Sequence, residues 1–252
     1  MDSGRGDKER KHLVKITARI YYFPGEEETD RPYLYYIKGD HYSAAVDAGN
    51  SKAHVQAYYE AITKAGLPLP EYTVITHWHW DHTFGIPYVH GKTIANQLTK
   101  NKLIEVSQWN WTKKAMEDRE KSGEDIAFCN ECICKEYPML SDIKVQTVDQ
   151  GIIEPMELDL GGVHLQLFPR DSTHSRDALF IYAPEEKALF VGDGDCGDHY
   201  ENNGEFDPNR LDSLLKFVEK IDFKYYFLGH DVPDTKEGAI KYLGEIRTES
   251  RR

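Results

Sequence analysis

A chain of 252 residues with 43 acidic and 31 basic side chains carries a formal net charge of −12, which disfavours a surface that tracks nucleic-acid phosphates through clustered Lys and Arg. The 40% apolar content, with 16 tyrosines and 10 phenylalanines, is enough for a full globular core, and no run of 18 apolar residues offers a membrane span. The charged stretch Met1 to Lys11 has no apolar segment behind it, so it does not read as a secretory signal, and the expectation is a cytoplasmic protein.

In chain order, Leu13 to Tyr22 alternates as a strand and ends at the turn Pro24-Gly25 and an acidic run to Asp30. Tyr33 to Ile37 and Ser43 to Asp47 form a hairpin about Gly39-Asp40. Asn50 or Ser51 caps a helix with Val55, Tyr58, Tyr59, Ile62 and Ala65 on one stripe, and Gly66 stops it. The apolar run Tyr72 to Ile75 is the next strand. From Ile94 to Gly123 the sequence turns charged and helix-favouring, which predicts two helices there, part of an insertion spanning about 97–140. Strands resume near Ile143. Met156 to Leu160 and Val163 to Phe168 make a hairpin about Gly161-Gly162, with His164 among its outward positions, and Ala178 to Ala183 pairs with Ala188 to Val191. That last hairpin echoes Tyr33 to Asp47, since both end in small residues and an aspartate, and the echo suggests two similar halves, about 1–145 and 146–252, in a single domain. Asp207-Pro208 opens a helix, Lys224 to Leu228 is a short buried strand, and a helix carrying Ala239, Ile240, Leu243 and Ile246 closes the chain. Hairpins mixed with helices and single strands indicate an α+β or α/β class.

The chemistry concentrates in Thr76-His77-Trp78-His79-Trp80-Asp81-His82. A strand ending here leaves His77 and His79 on one side of the chain, and a turn into a helix carries Asp81 and His82 to a neighbouring point. Such a layout suits two adjacent metal ions, and imidazole with carboxylate is an ordinary zinc donor set. Two ions need about three donors more, and three residues stand at the ends of hydrophobic strands, where loops carry function: His174, Asp193 and His230. Asp195 is the competing aspartate. Cys129, Cys132 and Cys134 have metal-like spacing, yet a helix over 125–137 would scatter the three thiols, so they are assigned as ordinary reduced cysteines, with Cys196 far away.

With these residues in view the chain resembles the metallo-β-lactamase superfamily of hydrolases. His77-x-His79-x-Asp81-His82 matches its signature, and His174, Asp193 and His230 match its later ligands in order, spacing and strand context. The resemblance covers about Leu13 to Ile246 and implies an α+β fold: a four-layer αββα sandwich of two mixed sheets with helices on the outer faces. It further implies two zinc ions per chain, with iron or manganese compatible. His77, His79 and His174 would hold the first ion, Asp81, His82 and His230 the second, and Asp193 would bridge them. Ser172-Thr173-His174-Ser175 departs from the Pro-Gly-His-Thr common at the third histidine, and Asp193 stands where lactamase branches carry cysteine or serine. His12, His41, His54, His90 and His199 match no motif position and are assigned to the surface or to a supporting shell.

The implied reaction is hydrolysis by a metal-bridging hydroxide, with Asp81 orienting the nucleophile and passing a proton to the leaving group. A small ester-like molecule, a thioester or a lactone, is the expected substrate. A glyoxalase II-like ligand set supports the thioester, although the segment after His230 is too short for that branch's glutathione-holding domain. The alternatives are a mononuclear-iron oxygenase or a phosphodiesterase of the same superfamily. Neither a nucleic-acid nor a membrane partner is expected, and a homodimer is compatible with the sequence. Specificity is expected from the 21–25 turn, the 97–140 insertion with Trp109 and Trp111, and the 194–207 loop, whereas Trp78 and Trp80 alternate with the ligands and should point away from them.

Overall fold

The structure is a computed structural model that describes residues 12–250. Seven strands form the first sheet in sequence order: β1 (Val14–Lys15), β2 (Ile20–Phe23), β3 (Leu34–Lys38), β4 (Ser43–Val46), β5 (Tyr72–Val74), β6 (Lys92–Asn96) and β7 (Gln150–Ile152). The pairs from β1 to β4 are antiparallel and those from β4 to β7 parallel. The second sheet holds β8 (Met156–Asp159), β9 (His164–Arg170), β10 (Ala178–Ala183), β11 (Ala188–Gly192), β12 (Tyr225–Leu228) and β13 (Asp234–Thr235), all antiparallel except β11 with β12. Both sheets are therefore mixed. Every residue of β10 and β11 is buried because these central strands are covered on both faces, which explains their unbroken apolar runs.

Between the sheets lies a core that includes Tyr35, Val46, Leu165, Leu167, Ile181, Phe190 and Phe227. Helix α1 (Lys52–Lys64) covers the outer face of the first sheet, burying Tyr58 and Ile62 against Phe23 and Tyr36. Ser51 caps it by accepting from the His54 amide at 3.1 Å. After the one-turn α2 (Trp80–Thr83) come α3 (Gln97–Val106), α4 (Lys113–Ser122) and α5 (Ala127–Glu136). Helices α6 (Pro208–Lys220) and α7 (Lys236–Glu249) back the second sheet through Leu211, Leu214, Val218 and Leu243. Asp207 caps α6 by accepting from the amides of Asn209 and Arg210 at 2.8 and 3.0 Å, with Pro208 in the first turn. The layers are α, β, β, α, as expected.

Main-chain hydrogen bonds also join one sheet to the other. At the end where β5, β11 and β12 terminate, Tyr33 N donates to Gly229 O at 2.7 Å and Leu179 N to Thr76 O at 2.7 Å. At the opposite end the β3–β4 turn meets the β8–β9 turn, where Asp40 N donates to Gly161 O at 2.7 Å and His41 N to Leu160 O at 3.0 Å.

Four expectations need correction. The single strand expected over Leu13 to Tyr22 is two, because the Thr17 hydroxyl accepts from the amides of Arg19 and Ile20 at 3.2 and 3.0 Å and turns the chain between β1 and β2. Residues 94–96 finish β6 before the helices start; the two helices expected up to Gly123 are α3 and α4, and α5 follows them within the insertion. No strand begins at Ile143 among the described residues. Finally, β7 pairs with β6 in the first sheet, so the chain crosses between sheets at 153–155, later than the 145–146 junction suggested by the hairpin echo.

Candidate metal centre

Every residue singled out as a ligand stands at the same edge of the sandwich. Beyond β5 the chain leaves the sheet, and loop 75–79 delivers His77 and His79 while α2 delivers Asp81 and His82. His174 lies in the loop after β9, Asp193 directly after β11, and His230 two residues after β12. Their donor atoms gather into two groups, His77 with His79 and His174, and Asp81 with His82, Asp193 and His230; within each group the atoms lie within 4.8 Å of one another. Asp195 belongs to neither group and faces Tyr226 instead.

One carboxylate oxygen links the groups. Asp193 Oδ2 lies 4.0 Å from His77 Nε2, 3.4 Å from His82 Nε2, 3.7 Å from His174 Nε2 and 3.6 Å from His230 Nε2. Two glycines shape its surroundings. Gly192 takes a left-handed φ of 57° where β11 ends and leaves room for Thr76, and a Cβ at Gly229 would overlap the Asp193 carboxylate. Asp81 Oδ2 sits 2.9 Å from both His82 Nε2 and His230 Nε2, and His79 Nδ1 sits 2.9 Å from His174 Nε2.

The outward nitrogens are already engaged. His82 Nδ1 pairs with the Asp47 carboxylate at 2.8 Å, and His77 Nδ1 lies 3.1 Å from the Thr76 hydroxyl, which itself donates to Asp47 at 2.9 Å. His174 Nδ1 donates to Gly197 O at 2.8 Å, and His230 Nδ1 faces Asp30 at 3.6 Å. Bonds of this kind fix ring orientation and turn the other nitrogen inward as a lone-pair donor. Inside the cluster, by contrast, the buried atoms His77 Nε2 and Asp193 Oδ1 have no hydrogen-bond partner. Buried polar atoms are nearly always paired, so inward-facing orphans among imidazoles and carboxylates fit a pair of metal cations.

Charge in the cluster agrees. Burial, with His82 and then His79 nearby, holds His77 well below the usual histidine range, and burial together with His174 does the same for His79. Burial favours protonation of Asp81 and Asp193, but His82 and His230 overcome it and keep both carboxyls ionised far below their ordinary range. Neutral imidazole and ionised carboxylate are the states that metal ligation requires. His82 and His230 are the opposite case. Burial lowers both, yet Asp81, Asp47 and Asp193 hold His82 well above the usual histidine range, and Asp193 with the hydrogen bond to Asp81 raises His230 to about 9, so a metal must displace their protons.

Asp47 and Asp30 were not among the expected site residues. Asp47 takes a left-handed φ of 64°, and its Oδ1 accepts from the Thr76 amide at 2.7 Å, so one buried carboxylate sets both the start of the ligand loop and the His82 ring. Changing Asp47→Asn is expected to weaken metal affinity about 10–100-fold, the usual effect of losing a carboxylate behind a ligating histidine. Competition with a chromogenic chelator measures it, and an unchanged affinity would refute the role. Asp30, its carboxyl pushed up to about 7 by burial and by Asp81, closes the rim beside His230.

Above the donors is a cavity of about 270 Å³ roofed by Ile126, Phe128 and Cys129 of the α5 region and by Cys196, His199 and Tyr200 of the loop after β11. His199, matched to no motif position, thus reaches the site. Trp109 and Trp111 do not. Their rings, 5.9 Å apart, both contact the Arg119 guanidinium, at 4.5 and 4.8 Å, away from the donors. Trp80 is buried as expected, whereas Trp78 is half-buried and lines a neighbouring cleft with its ring 5.1 Å from Tyr200. Neither tryptophan lines the metal-facing cavity, although the strand ends at Val74, before either of them. Cys129 and Cys132 are buried and Cys134 exposed on α5, so these thiols do not converge, and His164 is an outward histidine paired with Glu185.

The sequence model of the metallo-beta-lactamase superfamily matches residues 30–230. No curated protein matches the chain. Among solved structures, a metallo-beta-lactamase from Pontibacter korlensis superposes with a TM-score of 0.64 at 16% identity, over 93% of this chain and 99% of that one. The archaeal metallo-beta-lactamase superfamily protein ST1585 from Sulfolobus tokodaii gives 0.60 at 18% identity, over 91% and 86%. The stereoselective inverting sec-alkylsulfatase Pisa1 from Pseudomonas sp. gives 0.65 at 15% identity, over 94% of this chain but 41% of the sulfatase. At such identities the structural likeness is one of fold. With the sequence match spanning most of its length and the histidine–aspartate groups in place, the chain belongs to the metallo-beta-lactamase superfamily.

Proposed function

We propose that the protein is a hydrolase that holds two zinc ions and cleaves a small ester-like substrate, a thioester or a lactone. The observation that carries this reading is the approach of Asp193 Oδ2 to within 4.0 Å of histidine nitrogens from both donor groups, which puts one carboxylate in reach of two ion positions. His77, His79 and His174 would hold one ion, Asp81, His82 and His230 the other, and Asp193 both. When bound, such a pair supplies an acidified water and a Lewis acid for the substrate oxygen. The donors are all nitrogen and oxygen, which suits zinc and also accommodates iron or manganese.

Asp81 has the proton-handling role. It lines the cavity with its Oδ2 against His82 and His230, so its carboxylate can orient a water, accept the proton released on attack and return it to the departing oxygen or sulfur. Ile126 and Phe128 give the cavity an apolar roof, and its volume of about 270 Å³ favours a small reacting group. Two complete donor groups speak for two ions over the single iron of an oxygenase, and Asp30 and Asp231 near the rim, with the chain's net negative charge, disfavour polyanionic phosphodiesters.

Elemental analysis is expected to find two metal equivalents per chain. Chelation should abolish turnover across a panel of thioesters, lactones, lactams and phosphodiesters, and added zinc should restore it for the thioester or lactone. One iron per chain, or activity that survives chelation, would overturn the proposal.

A further inference from the structure

A second, larger cleft of about 440 Å³ adjoins the metal-facing cavity, and the two share His79, His174 and Tyr200 along their common edge. A molecule anchored at the donors therefore has a second space into which its remainder can extend. Two aromatic rings make the inner corner of that cleft. Tyr200 lies 4.9 Å from the His79 ring and 5.1 Å from Trp78, tilted 59° to the latter. The corner is held in place, because the Tyr200 hydroxyl donates to Asp125 at 3.1 Å while its amide donates to Asp198 at 3.0 Å. Leu98, half-exposed at the start of α3, stands on the rim.

Apart from Glu124, exposed at the edge, the charged groups around the cleft are already engaged. Asp177 accepts from Thr99, Asp198 and Glu201 are paired with Arg210, and Arg176 pairs with Glu201. Lys102 lies over Trp78 at 5.1 Å and is bonded to Glu105. What remains to recognise a ligand is ring and aliphatic surface, with a single carboxylate, Glu124, at the edge.

We infer that this cleft seats the non-reacting part of the substrate and selects a flat aromatic group, held against Trp78 and Tyr200. Tilted ring pairs add attraction beyond simple area burial, which is why an aromatic group is favoured over an alkyl chain of equal size. The inference rests on the hydrolase reading, since the metals provide the anchor.

The test uses the full chain loaded with cobalt(II) and titrates it with acetohydroxamate, benzohydroxamate and 2-naphthohydroxamate, reading the visible cobalt spectrum. Acetohydroxamate should perturb the spectrum, and the aromatic probes should bind about tenfold tighter. Leu98→Trp, which fills the rim from an exposed position, should remove that gain without changing acetohydroxamate affinity, and Tyr200→Leu should remove it by deleting the ring. If acetohydroxamate leaves the spectrum unchanged, the metal reading fails and takes the subsite with it. If it binds but the aromatic probes gain nothing, or their gain survives Leu98→Trp, the subsite alone is overturned.

Discussion

Asp193→Ala is expected to cut the metal content from two equivalents per chain to one or fewer and to lower hydrolysis by about 10³-fold or more, ~4 kcal/mol at the transition state. The size follows from position. Its Oδ2 lies within 4.0 Å of histidines in both donor groups, and Gly229 leaves no space for a larger substitute. Alanine therefore removes a donor to each ion together with the negative charge between them, and His82 and His230 lose an anionic neighbour. Asp193→Asn separates the two losses, since it keeps shape and one oxygen but not the charge. An intermediate metal content is expected for it. Elemental analysis and steady-state kinetics on the same preparations decide the matter, and an alanine variant that retains two ions would remove Asp193 from the centre.

The second large effect is on stability. Arg210, buried on α6, ties together the loops on either side of the site: Nε lies 3.0 Å from Asp171, one terminal nitrogen 3.0 Å from Asp198 and the other 3.0 Å from Glu201. Asp171 precedes His174, and Asp198 and Glu201 flank Tyr200, so one guanidinium fixes a ligand loop and the aromatic wall opposite it. Arg210→Met keeps the stem and removes the charge. Asp171 and Glu201 are about half-exposed and well screened, so the cost falls mainly on Asp198, which is buried and stripped of its cation. The expected destabilisation is about 3 kcal/mol, at the low end for breaking a buried pair, or a fall in Tm of about 6–12 °C. Thermal unfolding of metal-free and metal-loaded protein should show it in both. A change confined to the loaded form would mean that Arg210 acts only through the ions.

Much of this site was readable in the chain itself, and the parts that were not share a physical cause. His77, His79, Asp81 and His82 stand out because four donors crowd into six positions, and His174, Asp193 and His230 because each ends an apolar strand. Local order carries that kind of information. Asp47 and Asp30 act across 35 and 200 residues, on His82 and His230 respectively, and only the packing of β4 and the 27–31 turn against the ligand loops brings them there. Tyr200 is equally silent in sequence, set in a loop rich in Asn and Gly whose course depends on Asp198 and Arg210. Trp78 and Trp80 do stay out of the metal-facing cavity, though not through period-two alternation, which holds only while the chain is a strand, and β5 stops four residues before Trp78. The helical insertion was visible as composition, but which of its helices faces the donors was not. α5 does so because Glu136 at its end is clamped by Arg31, with nitrogen–oxygen distances of 2.7 and 3.1 Å, and by Ser51.

The main-chain bonds between the sheets have a mechanical consequence. The sandwich is stitched at both ends, through Tyr33 with Gly229 and Thr76 with Leu179 at the donor edge and through Asp40 and His41 with Gly161 and Leu160 at the other. Sliding one sheet past its partner would break all four bonds at once, so shear between the layers is a costly way to admit a substrate. Any opening over the donors would have to come from α5 and the 194–207 loop, which belong to neither sheet, and would have to loosen the Glu136 and Arg210 clamps that hold them.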